Sequence, residues 1–247
     1  MADRDEILAF AHDLLDLDAY PDYGPMGMQV EGAAEVTRIA CGVSASLELF
    51  ELAAHSGAEL LLVHHGLIWD GDPRVITGRL RRRLQALFDA NLTLAAYHLA
   101  LDAHPEVGNN ALLARELGVE PEQRFAEIGW GGPLTEPAGI EEFGERVRAA
   151  VSAEPLVFAH GPELIERAAV VTGGAAKYIG DAAAEGYDLF LTGEAAEPTL
   201  HAARELGIHF VAGGHYATER IGVQALAQAL AGQFQLEWEF IELPNPV

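Results

Sequence analysis

A single cysteine, Cys41, stands in 247 residues, so no internal disulfide is possible and a disulfide scaffold is excluded. That usage fits a reducing compartment and leads us to expect a cytoplasmic protein. Cys41 sits in an apolar stretch where any small buried residue would serve, which argues against a nucleophile. Lysine is almost missing as well: Lys177 is the only one, the other 14 cations are arginines, and 38 Asp and Glu bring the net charge to −23. A field of that sign repels phosphate backbones and anionic membranes, so nucleic acid is disfavoured as a partner. No apolar run approaches the ~18 residues that a membrane helix requires, and the N-terminus is acidic where a signal peptide would be basic. The phosphate loop Gly-x-x-x-x-Gly-Lys-Ser/Thr, the Gly-x-Ser-x-Gly elbow and a Gly-x-Gly-x-x-Gly after the first strand are absent too, which removes the commonest nucleotide-loop and serine-hydrolase chemistries.

What is present is a half-hydrophobic chain, which excludes disorder and can bury one large or two small cores. Ile7, Leu8, Ala11, Leu14 and Leu15 mark one face of a first helix. Strand-like runs near 37–43, 59–63, 92–97, 156–159, 168–172, 188–192 and 208–212 then alternate with helical stretches, which predicts an α/β protein with largely parallel sheets. The turn formers of 129–140 read as a linker between a first half, 1–128, and a second, 141–247, with a single compact unit as the alternative. Phe234, Leu236, Trp238 and Phe240 alternate with polar residues as in a half-buried strand. The cluster Arg79-Leu80-Arg81-Arg82-Arg83 opens an amphipathic stretch and reads as a solvated face, with a grip on phosphate as the sharper alternative.

The two halves repeat each other. In the first, one strand turns at Gly42, a second delivers His64 and His65, and a third delivers His98 and, four residues on, Asp102. In the second, a strand turns at Gly173-Gly174, the next delivers Glu194, and the third delivers His215 and, four residues on, Glu219. Ligands of open α/β sheets gather outside the carboxyl ends of strands, where all seven residues fall. A His-His pair after an apolar strand is costly unless its nitrogens have partners, and an imidazole and a carboxylate four residues apart share a helical face suited to a divalent ion. Without thiolates, and with too many donors for one tetrahedral ion, the set points to two metals chosen from zinc, manganese, iron, cobalt and nickel. Two such ions activate water and orient an electrophile, so hydrolysis of a small molecule is the natural reaction class. His104, His160, His201 and His209 carry no assignment.

The runs Gly27-Met28-Gln29-Val30-Glu31-Gly32, Val63-His64-His65-Gly66, His98-Leu99-Ala100-Leu101-Asp102-Ala103-His104-Pro105 and Gly213-Gly214-His215-Tyr216-Ala217-Thr218-Glu219 resemble the NIF-three-like dinuclear-metal proteins, named as GTP cyclohydrolase 1 type 2 homologues. The resemblance spans nearly the whole chain and is closest to the family's short bacterial form. It implies two intertwined, pseudo-repeated α/β/α halves, a ring-like homo-hexamer and two metal ions per subunit. It places the ligands on His64, His65, Asp102, His215 and Glu219, and leaves His98 and Glu194 as supporting or acid/base candidates. It also implies a metal-dependent, GTP cyclohydrolase-like hydrolase acting on a nucleotide-like substrate. The alternative from another class is a non-enzymatic metal-binding scaffold for storage, delivery or sensing.

Overall fold

Asp3 opens the first helix as a cap, its carboxylate accepting the Asp5 and Glu6 backbone N–H groups at 2.9 and 3.1 Å, which satisfies two of the donors that every helix start exposes. The helix buries Ile7, Ala11 and Leu15, one residue per turn. The computed structural model describes all 247 residues. In chain order the strands are β1 (Ala2–Asp3), β2 (Gly27–Val30), β3 (Glu35–Val36), β4 (Arg38–Ser44), β5 (Leu60–His65), β6 (Thr93–Ala96), β7 (Gln123–Phe125), β8 (Gly129–Ala138), β9 (Leu156–Phe158), β10 (Ile165–Val170), β11 (Leu189–Thr192), β12 (His209–Ala212) and β13 (Glu237–Phe240). The helices are α1 (Arg4–Leu15), α2 (Leu47–His55), α3 (Gly78–Asp89), α4 (Leu99–Ala103), α5 (Asn109–Glu116), α6 (Ile140–Val151), α7 (Ile179–Ala184), α8 (Thr199–Leu206) and α9 (His215–Phe234).

The chain forms two compact units, Met1–Leu101 with Gly222–Leu243, and Asp102–Ile221 with Pro244–Val247. In the first, the sheet order is β13-β4-β5-β6-β2. Its first four strands run parallel and β2 closes the edge antiparallel. Leu60, Leu61, Leu62 and Val63 of β5 are all solvent-free, as expected of a parallel strand covered on both faces. That is why an unbroken apolar run ends in two histidines: β5 leaves the core at His65. In the second unit the order is β7-β8-β10-β11-β12-β9. Here β10, β11 and β12 are parallel and β9 is the antiparallel edge. The trio β4-β5-β6 with β2 is thus repeated by β10-β11-β12 with β9.

Two stretches differ from the sequence expectation. Residues 129–140, expected as a linker, are mostly β8, an inner strand paired antiparallel with both β7 and β10. Their glycines provide space rather than turns: a Cβ on Gly132 would stand 1.9 Å from the Glu120 carbonyl oxygen, and one on Gly131 would meet the Tyr187 ring at 2.5 Å. The unit boundary therefore falls at 101/102, and the chain returns to the first unit at 222. Near the C-terminus, Phe234 ends α9 instead of starting a strand, and its ring meets Phe10 edge-on at 5.8 Å. Gln235 then takes a left-handed turn (φ 56°) before β13 begins.

Candidate metal centre

Within the first unit, the end of β5 and the turn after β6 bring three imidazoles together. Ring centroids are 4.8 Å apart for His64 and His65, 5.1 Å for His64 and His98, and 5.6 Å for His65 and His98. Their donor nitrogens all lie within 4.8 Å of one another. His64 is buried, and its Nδ1 pairs with the Tyr97 carbonyl at 2.9 Å. A carbonyl only accepts, so Nδ1 carries the proton and Nε2 is the nitrogen with the lone pair. His65 Nδ1 pairs with Ser44 Oγ, the residue beside it in the β4–β5 register, at 2.9 Å.

His98 is held by a residue the sequence did not single out. Its Nδ1 lies 2.9 Å from Asp22 Oδ1, while Asp22 Oδ2 accepts the Leu99 backbone N–H at 2.9 Å at the start of α4. Burial pushes the Asp22 carboxyl up, but His98 and the backbone donors together hold it below the usual carboxylate range, the charged form being the one they bond. Gln29 was likewise missed as a functional residue: its Oε1 accepts the Leu67 and Ile68 N–H groups at 2.7 and 3.2 Å, pinning the loop that follows His65. His98 itself precedes α4, so the helical spacing expected for residues 98–102 does not apply at its first member.

Asp22→Asn is expected to destabilise the fold by about 1–3 kcal/mol, since it replaces a carboxylate held by His98 and by the Leu99 N–H with a neutral amide that bonds them less strongly. Because the native Asp22 carboxyl lies below its unfolded value, that contribution is present above the ordinary carboxylate range and is lost as pH falls through the depressed one. Denaturant unfolding at pH 7 and at about pH 3 tests it, with the gap between wild type and variant narrowing in acid.

In the second unit the donors are carboxylate-rich. Asp102 and Glu219 are both 3% exposed, and their ligand oxygens lie within 4.8 Å of one another. Asp102 Oδ1 accepts the Asn109 amide at 2.9 Å, and Asn110 holds the Asp102 carbonyl at 3.1 Å while its own Oδ1 accepts the Thr172 N–H at 2.6 Å. At the start of α9, His215 Nε2 lies 3.1 Å from Glu219 Oε2, one turn on, and its Nδ1 bonds Glu194 Oε1. Glu219 first, against burial, and then Glu194 raise the His215 imidazole to about 9. Gly173 takes φ 69°, and a Cβ there would lie 2.1 Å from Glu219 Oε1, so only glycine leaves room for that carboxylate. Two buried carboxylates at this separation repel each other when both are ionised, which a bound cation would relieve, and an oxygen- and imidazole-rich set without thiolates suits a divalent first-row ion. The residues fit a metal.

Two other histidines hold backbone groups. His209 Nδ1 accepts the Gly161 N–H at 3.2 Å and its Nε2 donates to the Pro162 carbonyl at 2.8 Å. His104 accepts two backbone N–H groups of the following turn.

Fold and donors together define an α/β protein built on a repeated sheet motif, with clusters of His, Asp and Glu suited to metal at the strand ends. The chain belongs to the Duf34/NIF3 (NGG1p interacting factor 3) family, whose model matches residues 2–246. It is 47% identical over 237 residues to a Pseudomonas aeruginosa protein named GTP cyclohydrolase 1 type 2 homolog, covering 94% of each chain. A protein of the same name in Escherichia coli K12 is 42% identical and covers 98% of both. Among solved structures, the protein ybgI, described as of unknown function, superposes with a TM-score of 0.96 at 41% identity over all of both chains. A Thermus thermophilus protein gives 0.94 at 35%, again over the full length of both. No helix is long and apolar enough to cross a membrane.

Proposed function

We propose that His64, His65, Asp102, His215 and Glu219 hold two divalent ions and that the protein is a metal-dependent hydrolase of a nucleotide-like small molecule, similar to GTP cyclohydrolase 1 type 2. The observation that carries this reading is the buried Asp102–Glu219 carboxylate pair, a placement that a bound divalent cation stabilises. The relatives' shared name supports the substrate class. Ions held by these residues would supply Lewis acidity and draw the pKa of water toward about 7.

The chain's own residues do the rest. Asp22 fixes the His98 ring through Nδ1, so that Nε2 is the atom at which a proton is taken up or given back. Glu194 orients His215 through Nδ1 and leaves Nε2 facing Glu219, as outer partners of metal-binding imidazoles do. Trp69, edge-on to His98 at 5.2 Å and tied to the Gly66 carbonyl through its indole N–H at 2.9 Å, excludes water from one side of that ring. The same reading takes the protein to be a cytoplasmic homo-hexamer.

The test is turnover of GTP by metal-loaded protein, by chelator-stripped protein and by His98→Ala at equal metal content. Activity should vanish with the metal, return on its readdition, and fall by about 10²–10⁴ in His98→Ala with metal retained. Full metal loading without turnover of GTP or of a nucleotide panel would sink the hydrolase and leave the scaffold reading.

A further inference from the structure

Segment 73–88 holds five of the 15 cations, Arg74, Arg79, Arg81, Arg82 and Arg83, and no carboxylate. Four arginines elsewhere have carboxylate partners: Arg4 pairs with Asp5, Arg38 with Glu237, Arg146 with Glu142, and Arg148 with Glu145 and Glu154. On α3 the arginines divide. Arg81 and Arg82 face an open groove against α2 that also contains Glu51 and Asp89, so carboxylates are at hand there. Arg79 and Arg83, one turn apart, line a separate cavity of about 210 Å³ together with Thr77, Leu67 and Val75. Its one carboxylate, Asp72, is turned to the Trp69 N–H at 3.1 Å. Burial and then the Arg79 charge pull the Arg83 guanidinium below its ordinary range. The same wall contains the first turn of α3, whose cap residue Thr77 makes no side-chain bond to the helix N–H groups, leaving the positive end of the helix open to an anion.

We propose that Arg79, Arg83 and the first turn of α3 form a subsite for a phosphate-class anion, the phosphoryl end of the substrate. Assigning the anion to the substrate rests on the hydrolase reading; the subsite itself rests on the arginines and the cavity. Leu67, in the cavity wall, follows His65 by two residues, so the subsite begins within about 7 Å of chain from a metal-donor residue. Two guanidiniums four residues apart grip a phosphate through forked N–H donors in a way one lysine would not. In a chain of −23 this local concentration of unmatched positive charge also gives an anionic substrate a place to enter against the general field.

Isothermal titration of the metal-loaded protein with inorganic pyrophosphate, GTP and guanosine tests the proposal on wild type, on Arg79→Gln/Arg83→Gln and on Arg81→Gln/Arg82→Gln. The two double variants change net charge equally, so they separate a site from a field. Arg79→Gln/Arg83→Gln should weaken pyrophosphate and GTP at least ~10-fold and leave guanosine binding unchanged, whereas Arg81→Gln/Arg82→Gln should stay within about twofold. Equal weakening in both variants, or none in either, would overturn the subsite. Loss of pyrophosphate with GTP untouched would overturn its assignment to the substrate. Metal content of the same samples keeps the two readings apart. Arginine-dependent pyrophosphate binding by a chain that holds no metal would sink only the hydrolase, and a metal-loaded chain indifferent to Arg79 and Arg83 would sink only the subsite.

Discussion

Glu219→Ala and His64→Ala are each expected to strip the protein of most of its metal while leaving it folded. Elemental mass spectrometry on protein purified without chelator or affinity tag should fall from about two ions per chain to well below one in both. Removing an outer-shell partner of a ligand already costs about 10–100-fold in affinity, and removing a ligand costs more. Both side chains are buried, His64 at 0% and Glu219 at 3% exposure, and each belongs to two clusters of donor atoms, so neither loss can be made good by water from the surface. Metal content unchanged in either variant would refute that residue as a ligand. A second readout follows from the carboxylate pair. Metal that bridges buried carboxylates binds only the folded chain, so the unfolding midpoint of wild type should rise on metal loading, and rise less in Glu219→Gln. A wild type that gains no stability from metal would contradict the assignment.

What the residues disclosed in advance follows physical lines. The β4-β5-β6 and β10-β11-β12 trios were legible because parallel strands covered on both faces need unbroken apolar runs, and Leu60–Val63 and Leu189–Leu191 are such runs. His215 and Glu219 were legible as a pair because α9 begins at His215 and a helix sets residues four apart on one face. Asp22 and Gln29 were not. Each acts across the chain, Asp22 on His98 at a separation of 76 residues and Gln29 on Leu67 at 38, and each sits where no periodicity announces its contact. The loop around Asp22 offered only turn formers, which describe a backbone and not what its side chains reach.

Gly132→Val carries the largest expected loss of stability, and it separates the two meanings of a glycine-rich stretch. In a linker, valine at this position would be nearly neutral and would even restrict the unfolded chain. In β8 the new side chain starts 1.9 Å from the Glu120 carbonyl oxygen and 3.1 Å from its carbon. That neighbour is backbone, and it is not idle: the Glu120 N–H donates to the Pro133 carbonyl at 2.9 Å, so the two segments are tied one residue from the clash. Gly132 also pairs with Ala168 of β10, a solvent-free residue in the middle of the sheet, so β8 cannot swing outward without unzipping that ladder. Relief therefore requires moving backbone on one side or breaking sheet pairing on the other. We expect a loss of about 3 kcal/mol or more, the range of severe overpacking and strain. For a chain of this size that lowers the thermal midpoint by about 6–12 °C. A denaturant or thermal unfolding curve within about 0.5 kcal/mol of wild type, the ordinary range of a surface substitution, would mean that β8 yields freely and that its glycines are turn formers after all.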